Sequence, residues 1–124
     1  MPLFRRNHYR VPIRLFINQY SGQERWIGLT FNLGAGGLYL CLPPQPIPGQ
    51  MGLELELPGL DDTIWTRAEV RSVGSRGKFM GIGMAFTAMA QKHQRLLGDW
   101  VGMARRQLRA NERRSTIRQV HLAA

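Results

Sequence analysis

The sequence predicts an all-β domain with a terminal helix: a small six-stranded antiparallel β-barrel followed by a C-terminal α-helix. Three observations carry this. Apolar and polar residues alternate with period two in short runs between Val11 and Phe86. Turn residues separate those runs at regular spacing, as in small barrels and sandwiches. From Thr87 the period changes, and Leu96, Leu97, Trp100, Val101, Ala104 and Leu108 fall at 3.6-residue spacing. At 124 residues, with an apolar fraction of 44%, the chain can bury one core.

Each element has a local reason. Residues 1–10 read as an arm. Pro12 holds Val11 extended, and Val11 to Gln19 alternates as a strand, with Ile13, Leu15 and Ile17 on one face and Arg14, Phe16 and Asn18 on the other. A turn over 20–24 leads to a second strand, Arg25 to Phe31, whose apolar set is Ile27, Leu29 and Phe31. A glycine-rich turn, Asn32 to Gly37, precedes a third strand, Leu38 to Leu42. Cys41 within it reads as a small buried hydrophobe. Pro43 to Gly49 is a proline-rich loop. Met51 to Leu57 alternates cleanly, with Leu53, Leu55 and Leu57 inward and Glu54 and Glu56 outward. After a turn at 58–62, Ile64 to Val73 is a long strand, and Gly74 to Gly77 closes a hairpin into Lys78–Phe86. In the helix, Gly98 and Gly102 cost about 1 kcal/mol each relative to Ala, which suggests close approach to the sheet or another subunit. The chain thus divides into an arm (1–10), a barrel with its packing helix (11–104) and a basic extension (105–124), helical or unstructured.

The net charge of +9 is unevenly placed. Four arginines and no acid lie in residues 1–14, and eight basic against two acidic residues lie in 88–124, leaving a middle of net −1. Such ends favour anionic partners. The uncharged run Trp26–Leu53 is broken by four prolines and six glycines and alternates, which argues against a membrane span. No apolar leader follows Met1, so a soluble cytoplasmic protein is expected. One cysteine excludes an internal disulfide, and no residues have metal-ligand spacing. His8, His93 and His121 are scattered, and no nucleophile turn or Walker loop is present. The chain does not read as an enzyme.

Two stretches carry chemistry. Arg5-Arg6-Asn7-His8-Tyr9-Arg10 offers planar guanidinium forks suited to phosphate and to the O6/N7 edge of guanine. Asn32-Leu33-Gly34-Ala35-Gly36-Gly37 offers glycines for a positive-φ turn and for main-chain N–H groups near an anion. Together they suggest a site for a small phosphate-bearing nucleotide.

These stretches resemble the PilZ domain family of bacterial cyclic di-GMP receptors. Arg6-Asn7-His8-Tyr9-Arg10 matches its RxxxR arm motif, and Asn32 and Gly37 match its (D/N)xSxxG turn. Gly34 departs from the usual Ser. Gly81-Ile82-Gly83-Met84-Ala85-Phe86 is similar to the closing barrel strand, G-x-G-[VM]-x-F. The resemblance implies cyclic di-GMP as ligand, with no other cofactor. Ligand-binding residues would be Arg5, Arg6, Arg10, Asn32, Gly34 and Gly37. An Arg at position 5 implies an intercalated ligand dimer, two molecules per site. Losing the Ser hydroxyl at Gly34 is expected to cost about 0.5–1.5 kcal/mol, weakening binding without abolishing it. The implied mechanism is an arm that is free without ligand, clamps onto the turn with it, and signals to a protein effector partner.

Two alternatives stay open. One is a degenerate domain serving as a nucleotide-independent protein adaptor. The other is nucleic-acid binding through Arg105, Arg106, Arg109, Arg113, Arg114 and Arg118, weakened by the absence of any base-reading module. Self-association as a homodimer is also open, and neither the partner nor the process is legible.

Overall fold

Leucine alternation builds the most regular wall of the molecule. In the strand Gln50–Leu55, Met51, Leu53 and Leu55 are buried, and Glu54 faces out. The structure, a computed structural model, describes residues 9–123, with side chains as far as Arg114. Its strands are Arg10–Val11 (β1), Phe16–Ser21 (β2), Glu24–Gly34 (β3), Gly37–Leu42 (β4), Gln50–Leu55 (β5), Ile64–Arg76 (β6) and Phe79–Met89 (β7). All pair antiparallel, in the order β1-β3-β2-β5-β6-β7-β4, and β4 pairs back onto β3. Six strands therefore close a barrel, as predicted, and β1 is an extra strand laid on the end of β3. Closure removes the open edges that a flat sheet would leave.

The barrel is filled by Ile17, Leu33, Leu38, Leu40, Leu53, Leu55, Ile64, Ile82, Met84 and Phe86. Each fully buried side chain of this kind stabilises by about 1.5–3 kcal/mol. The helix Gln91–Ala123 (α1) adds Leu97, Trp100 and Val101 to the same core. The Trp100 indole donates to the Pro58 carbonyl at 2.9 Å, so its one polar atom is satisfied. α1 lies against β1, β3 and β6. Beyond Leu108 its described side chains are exposed, and the helix continues through the basic segment. The expected close approach at Gly98 and Gly102 is not found: an added Cβ would meet nothing within 4 Å at Gly98, and only the Arg106 guanidinium, 3.6 Å away, at Gly102.

Four local expectations are corrected. First, the strand expected from Val11 to Gln19 is split, because Pro12 has no N–H to give the ladder. The gap is bridged by Thr30, buried in β3, whose hydroxyl accepts from the Leu15 N–H at 2.8 Å and donates to the Ile13 carbonyl at 2.7 Å. Second, the apolar set of β3 faces outward. Gly28 and Thr30 point into the barrel, while Ile27 is exposed and Leu29 and Phe31 are half-buried. A Cβ at Gly28 would crowd the Gln19 amide, meeting Nε2 at 2.8 Å, and Leu40 Cδ1 at 3.1 Å. The Gln19 amide is fully buried in this spot and has no hydrogen-bond partner among the described residues. Third, β6 runs through Gly74 and Ser75 to Arg76, so its hairpin turn is Gly77-Lys78, with Gly77 at φ +62°. Fourth, Cys41 is half-buried on the outer face, its register partners being Leu29 and Gly81.

Candidate functional site

The site grows from a bulge. Thr30 pairs with Leu40, but Asn32 pairs with Tyr39, so Phe31 is an extra residue in β3. Thr30 and Leu33 are buried, while Phe31 and Asn32 are both partly exposed on the outer face. Asn32 thereby comes within reach of the arm. β1 pairs Arg10 with Gly34 and Val11 with Leu33, which brings the Arg10 guanidinium to Asn32. Arg10 NH1 donates to Asn32 Oδ1 at 3.3 Å.

The glycines serve a different purpose from the one expected. None of Gly34, Gly36 and Gly37 has positive φ, and Asn32 to Gly34 belong to β3, leaving Ala35-Gly36 between the strands. What Gly34 and Gly37 provide is closeness. A Cβ at Gly34 would meet the Tyr9 carbonyl at 2.7 Å and Arg10 Cγ at 2.8 Å. A Cβ at Gly37 would run into the Met84 carbonyl and meet Arg10 NH2 at 3.1 Å. Arg10 thus lies over two bare stretches of backbone. The position of the expected Ser is filled by the arm itself.

The electrostatics leave a cation in want of an anion. Arg10 is exposed as a residue, yet the surrounding protein strips water from its guanidinium and lowers its pKa from the ordinary arginine value. Among the described residues it has no carboxylate partner, only the neutral Asn32 amide. A partly desolvated guanidinium with free donors is suited to a phosphate or a guanine edge.

A PilZ domain model matches residues 4–102, most of the chain. The chain belongs to the PilZ domain family. Among solved structures, the fold is similar to the Bacillus subtilis inhibitor of motility MotI/DgrA, at 23% identity and TM-score 0.70, covering 86% of this chain and 53% of that one. It is similar to Escherichia coli YcgR in complex with c-di-GMP, at 16% identity and TM-score 0.68, covering 90% of this chain and 50% of that one. The PilZ domain of YcgR alone, also with c-di-GMP, matches at 18% identity and TM-score 0.66, covering 88% of this chain and 98% of that domain. The chain therefore spans about half the length of MotI/DgrA and of full YcgR, and the likeness is one of fold. No curated protein matches significantly in sequence.

Within this PilZ domain, Arg10, Asn32, Gly34 and Gly37 converge at one end of the barrel. Arg5, Arg6 and His8 lie outside the described residues. Sequence reasoning missed four outer-face residues beside Asn32. Arg14 stacks over Phe31 with its guanidinium carbon 4.6 Å from the ring centroid. Arg76 lies 5.2 Å from the centroids of both Phe31 and Tyr39. The alternation that turned Arg14 and Phe16 outward was a signal for one of the four. The meeting of β3, β4 and β6 side chains was not readable from spacing. Among the described residues no group of His, Cys, Asp and Glu is placed to hold a metal, and no helix is long and apolar enough to cross a membrane.

Proposed function

We propose that this chain is a receptor for cyclic di-GMP. Arg6 and Arg10 take phosphate and guanine edges, Asn32 reads polar atoms on the base or holds Arg10, and the bare backbone at Gly34 and Gly37 lets the arm and the Arg10 side chain lie close enough to present those donors. The observation that carries this is Arg10, desolvated, aimed at Asn32 and without a counter-carboxylate among the described residues. The c-di-GMP complexes of YcgR, which share the fold, support the choice of ligand. Arg5 next to Arg6 favours two ligand molecules per site.

The switch differs from a simple free arm. β1 already fastens Arg10 to β3, so Arg10 is held on the barrel before any ligand arrives. Tyr9 lies under the Arg105 guanidinium of α1, 4.2 Å from the ring centroid. A ligand that draws Arg6 toward the barrel repositions Tyr9, and with it the hold on α1. The size of the switch equals the ligand's differential affinity for the two arm positions. The helix, with the basic segment after Arg105, then meets a protein effector.

Isothermal titration calorimetry with cyclic di-GMP, and GTP as control, tests this. Binding near two molecules per chain, lost in Arg6→Ala and Arg10→Ala, is expected. One molecule per chain would retire the Arg5 inference and keep the receptor. Absence of heat at high ligand concentration would leave the nucleotide-independent adaptor.

A further inference from the structure

β6 outruns one of its neighbours. It pairs with β5 only as far as Glu69, opposite Gln50, and the Val70 N–H then closes that side on the Gly49 carbonyl at 2.8 Å. From Arg71 to Arg76 the strand has β7 on one side and, among the described residues, no strand on the other. Every residue of this stretch is exposed. The wall made by β4, β7 and β6 therefore ends on an open edge.

The register shows which main-chain groups that edge offers. Arg76 and Phe79 flank the two-residue turn Gly77-Lys78, so they form a hydrogen-bonded pair. Alternation along the ladder then turns the Gly74 groups toward β7, and the N–H and C=O of Val73 and Ser75 away from it. Those groups have no partner among the described residues. The ribbon is tied to the barrel at its far end, where Arg76 Nε donates to the Tyr39 hydroxyl at 3.3 Å.

Side chains beside the edge are apolar on both faces. Val73 is 56% exposed and shares a face with its partner Ile82. Phe79 is 52% exposed and lies on the opposite face with Arg76. On the Phe79 face Gly74 leaves the edge bare, since an added Cβ would meet nothing within 4 Å. The charge beside them has one sign. The ribbon carries Arg71, Arg76 and Lys78, and no acidic residue occurs between Glu69 and Asp99. Arg71 reaches back to Glu69 at 3.6 Å, whereas Arg76 and Lys78 have no carboxylate partner among the described residues.

Basic residues on an edge keep copies of a chain apart. Pairing two such ribbons would gather the same cations along one seam. That protection does not call for Val73 and Phe79 to be exposed on either side of the same edge. An added strand uses both, because its alternate side chains fall on Val73 and, across Gly74, toward Phe79. Carboxylates on that strand would answer Arg76 and Lys78.

We propose that the Arg71–Arg76 edge of β6 is a docking site for a protein partner that adds an extended acidic strand to the sheet. The occupant is a segment in which Asp or Glu alternates with β-branched or aromatic residues, and its main chain pairs with Val73 and Ser75. This site uses neither the arm nor the glycine-rich turn, so it stands or falls apart from the receptor reading.

The test uses the full chain and two short synthetic peptides, one alternating Val with Glu and the other Val with Lys. Fluorescence anisotropy measures binding, and amide hydrogen exchange followed by NMR locates it. The Glu peptide is expected to bind and to slow exchange at Val73 and Ser75, and the Lys peptide is expected to do neither. Ser75→Pro removes an edge N–H without touching the β7 ladder, and is expected to weaken binding roughly tenfold at an unchanged melting temperature. Lys78→Glu, in the turn outside both ladders, is expected to weaken it roughly threefold, and decides alone if Ser75→Pro melts early. No binding of the Glu peptide, equal binding of the Lys peptide, or protection elsewhere on the chain would overturn the site. Full-strength binding in both variants would do the same. Dimers of the free chain in sedimentation that Ser75→Pro abolishes would overturn the acidic partner in favour of a second copy.

Discussion

Two aromatic pairs stand on the outer face of this barrel with nearly the same geometry and opposite charge. Tyr20 and Trp65 are 5.9 Å apart at 37°, and Phe31 and Tyr39 are 6.1 Å apart at 36°. At the first pair, the Tyr20 hydroxyl donates to Glu54 at 2.7 Å, so the nearby carboxylate is held by the protein's own donor. At the second, two guanidiniums lie against the rings with no carboxylate among the described residues, and a third, Arg10, reaches Asn32 next door. Ring geometry alone therefore does not mark a site. What separates the two regions is whether the charges are answered within the protein. A closed network stabilises the wall, whereas an open one is ready for a ligand.

The largest way to break that contrast is to remove the central cation. Arg10→Ala is expected to cost roughly a hundredfold in cyclic di-GMP affinity, since it deletes charge-assisted bonds to the ligand. Calorimetry reads this directly, and full affinity in the variant would place the site elsewhere. Next comes the backbone beneath it. Gly37→Ala drives a Cβ into the Met84 carbonyl and should lower stability by about 1–3 kcal/mol, seen as a lower melting temperature. Gly34→Ser restores the residue usual in the family, yet its Cβ must displace the Tyr9 carbonyl. Faster amide hydrogen exchange across β1 is the expected outcome; unchanged protection would show that the arm is not seated there.

A smaller effect sharpens the closed side of the comparison. The hydrogen bond to Glu54, the largest cause, together with partial burial raises the Tyr20 pKa above the ordinary phenol value. Its contribution is complete below about pH 10 and is lost as pH rises through the raised value. In Glu54→Gln the phenolate absorbance of one tyrosine should appear at lower pH, with ligand affinity unchanged. A loss of affinity there would join the two regions that the charges separate. Smallest are Gly98→Ala and Gly102→Ala in α1. With space at both positions, each should add about 1 kcal/mol of stability in thermal melts and leave binding alone. Destabilisation would reveal a contact that the helix needs.

Much of the barrel was legible because period-two alternation needs only neighbours in sequence. Met51, Leu53 and Leu55 show it plainly, and so does the helical stripe through Leu97, Trp100 and Val101. The β3 strand misled because its inward positions are Gly28 and Thr30. One leaves room for the Gln19 side chain, and the other is polar to bridge the gap after Pro12. Hydrophobicity therefore pointed to the wrong face. Asn32 and Arg10 were legible as a motif, but the use of Gly34 and Gly37 was not. Positive φ and close approach leave the same letter in the sequence, and only packing tells them apart. The stacking of Arg14 and Arg76 on Phe31 joins residues 17 and 45 positions away, a meeting that the bulge and the barrel closure decide together.

The bulge in β3 bears on how such a site can change in evolution. Because Phe31 is surplus to the ladder, Thr30 and Leu33 point inward and Asn32 points outward just as they would in a regular strand without it. The ring is thus an addition to the strand and replaces nothing within it. Loss of a single codon would remove the Phe31 ring while keeping every core residue and the arm's amide partner in phase. Gain of one would restore it by the same step. The outer face of this barrel can then change through insertion and deletion, which elsewhere in a sheet would turn a whole strand inside out.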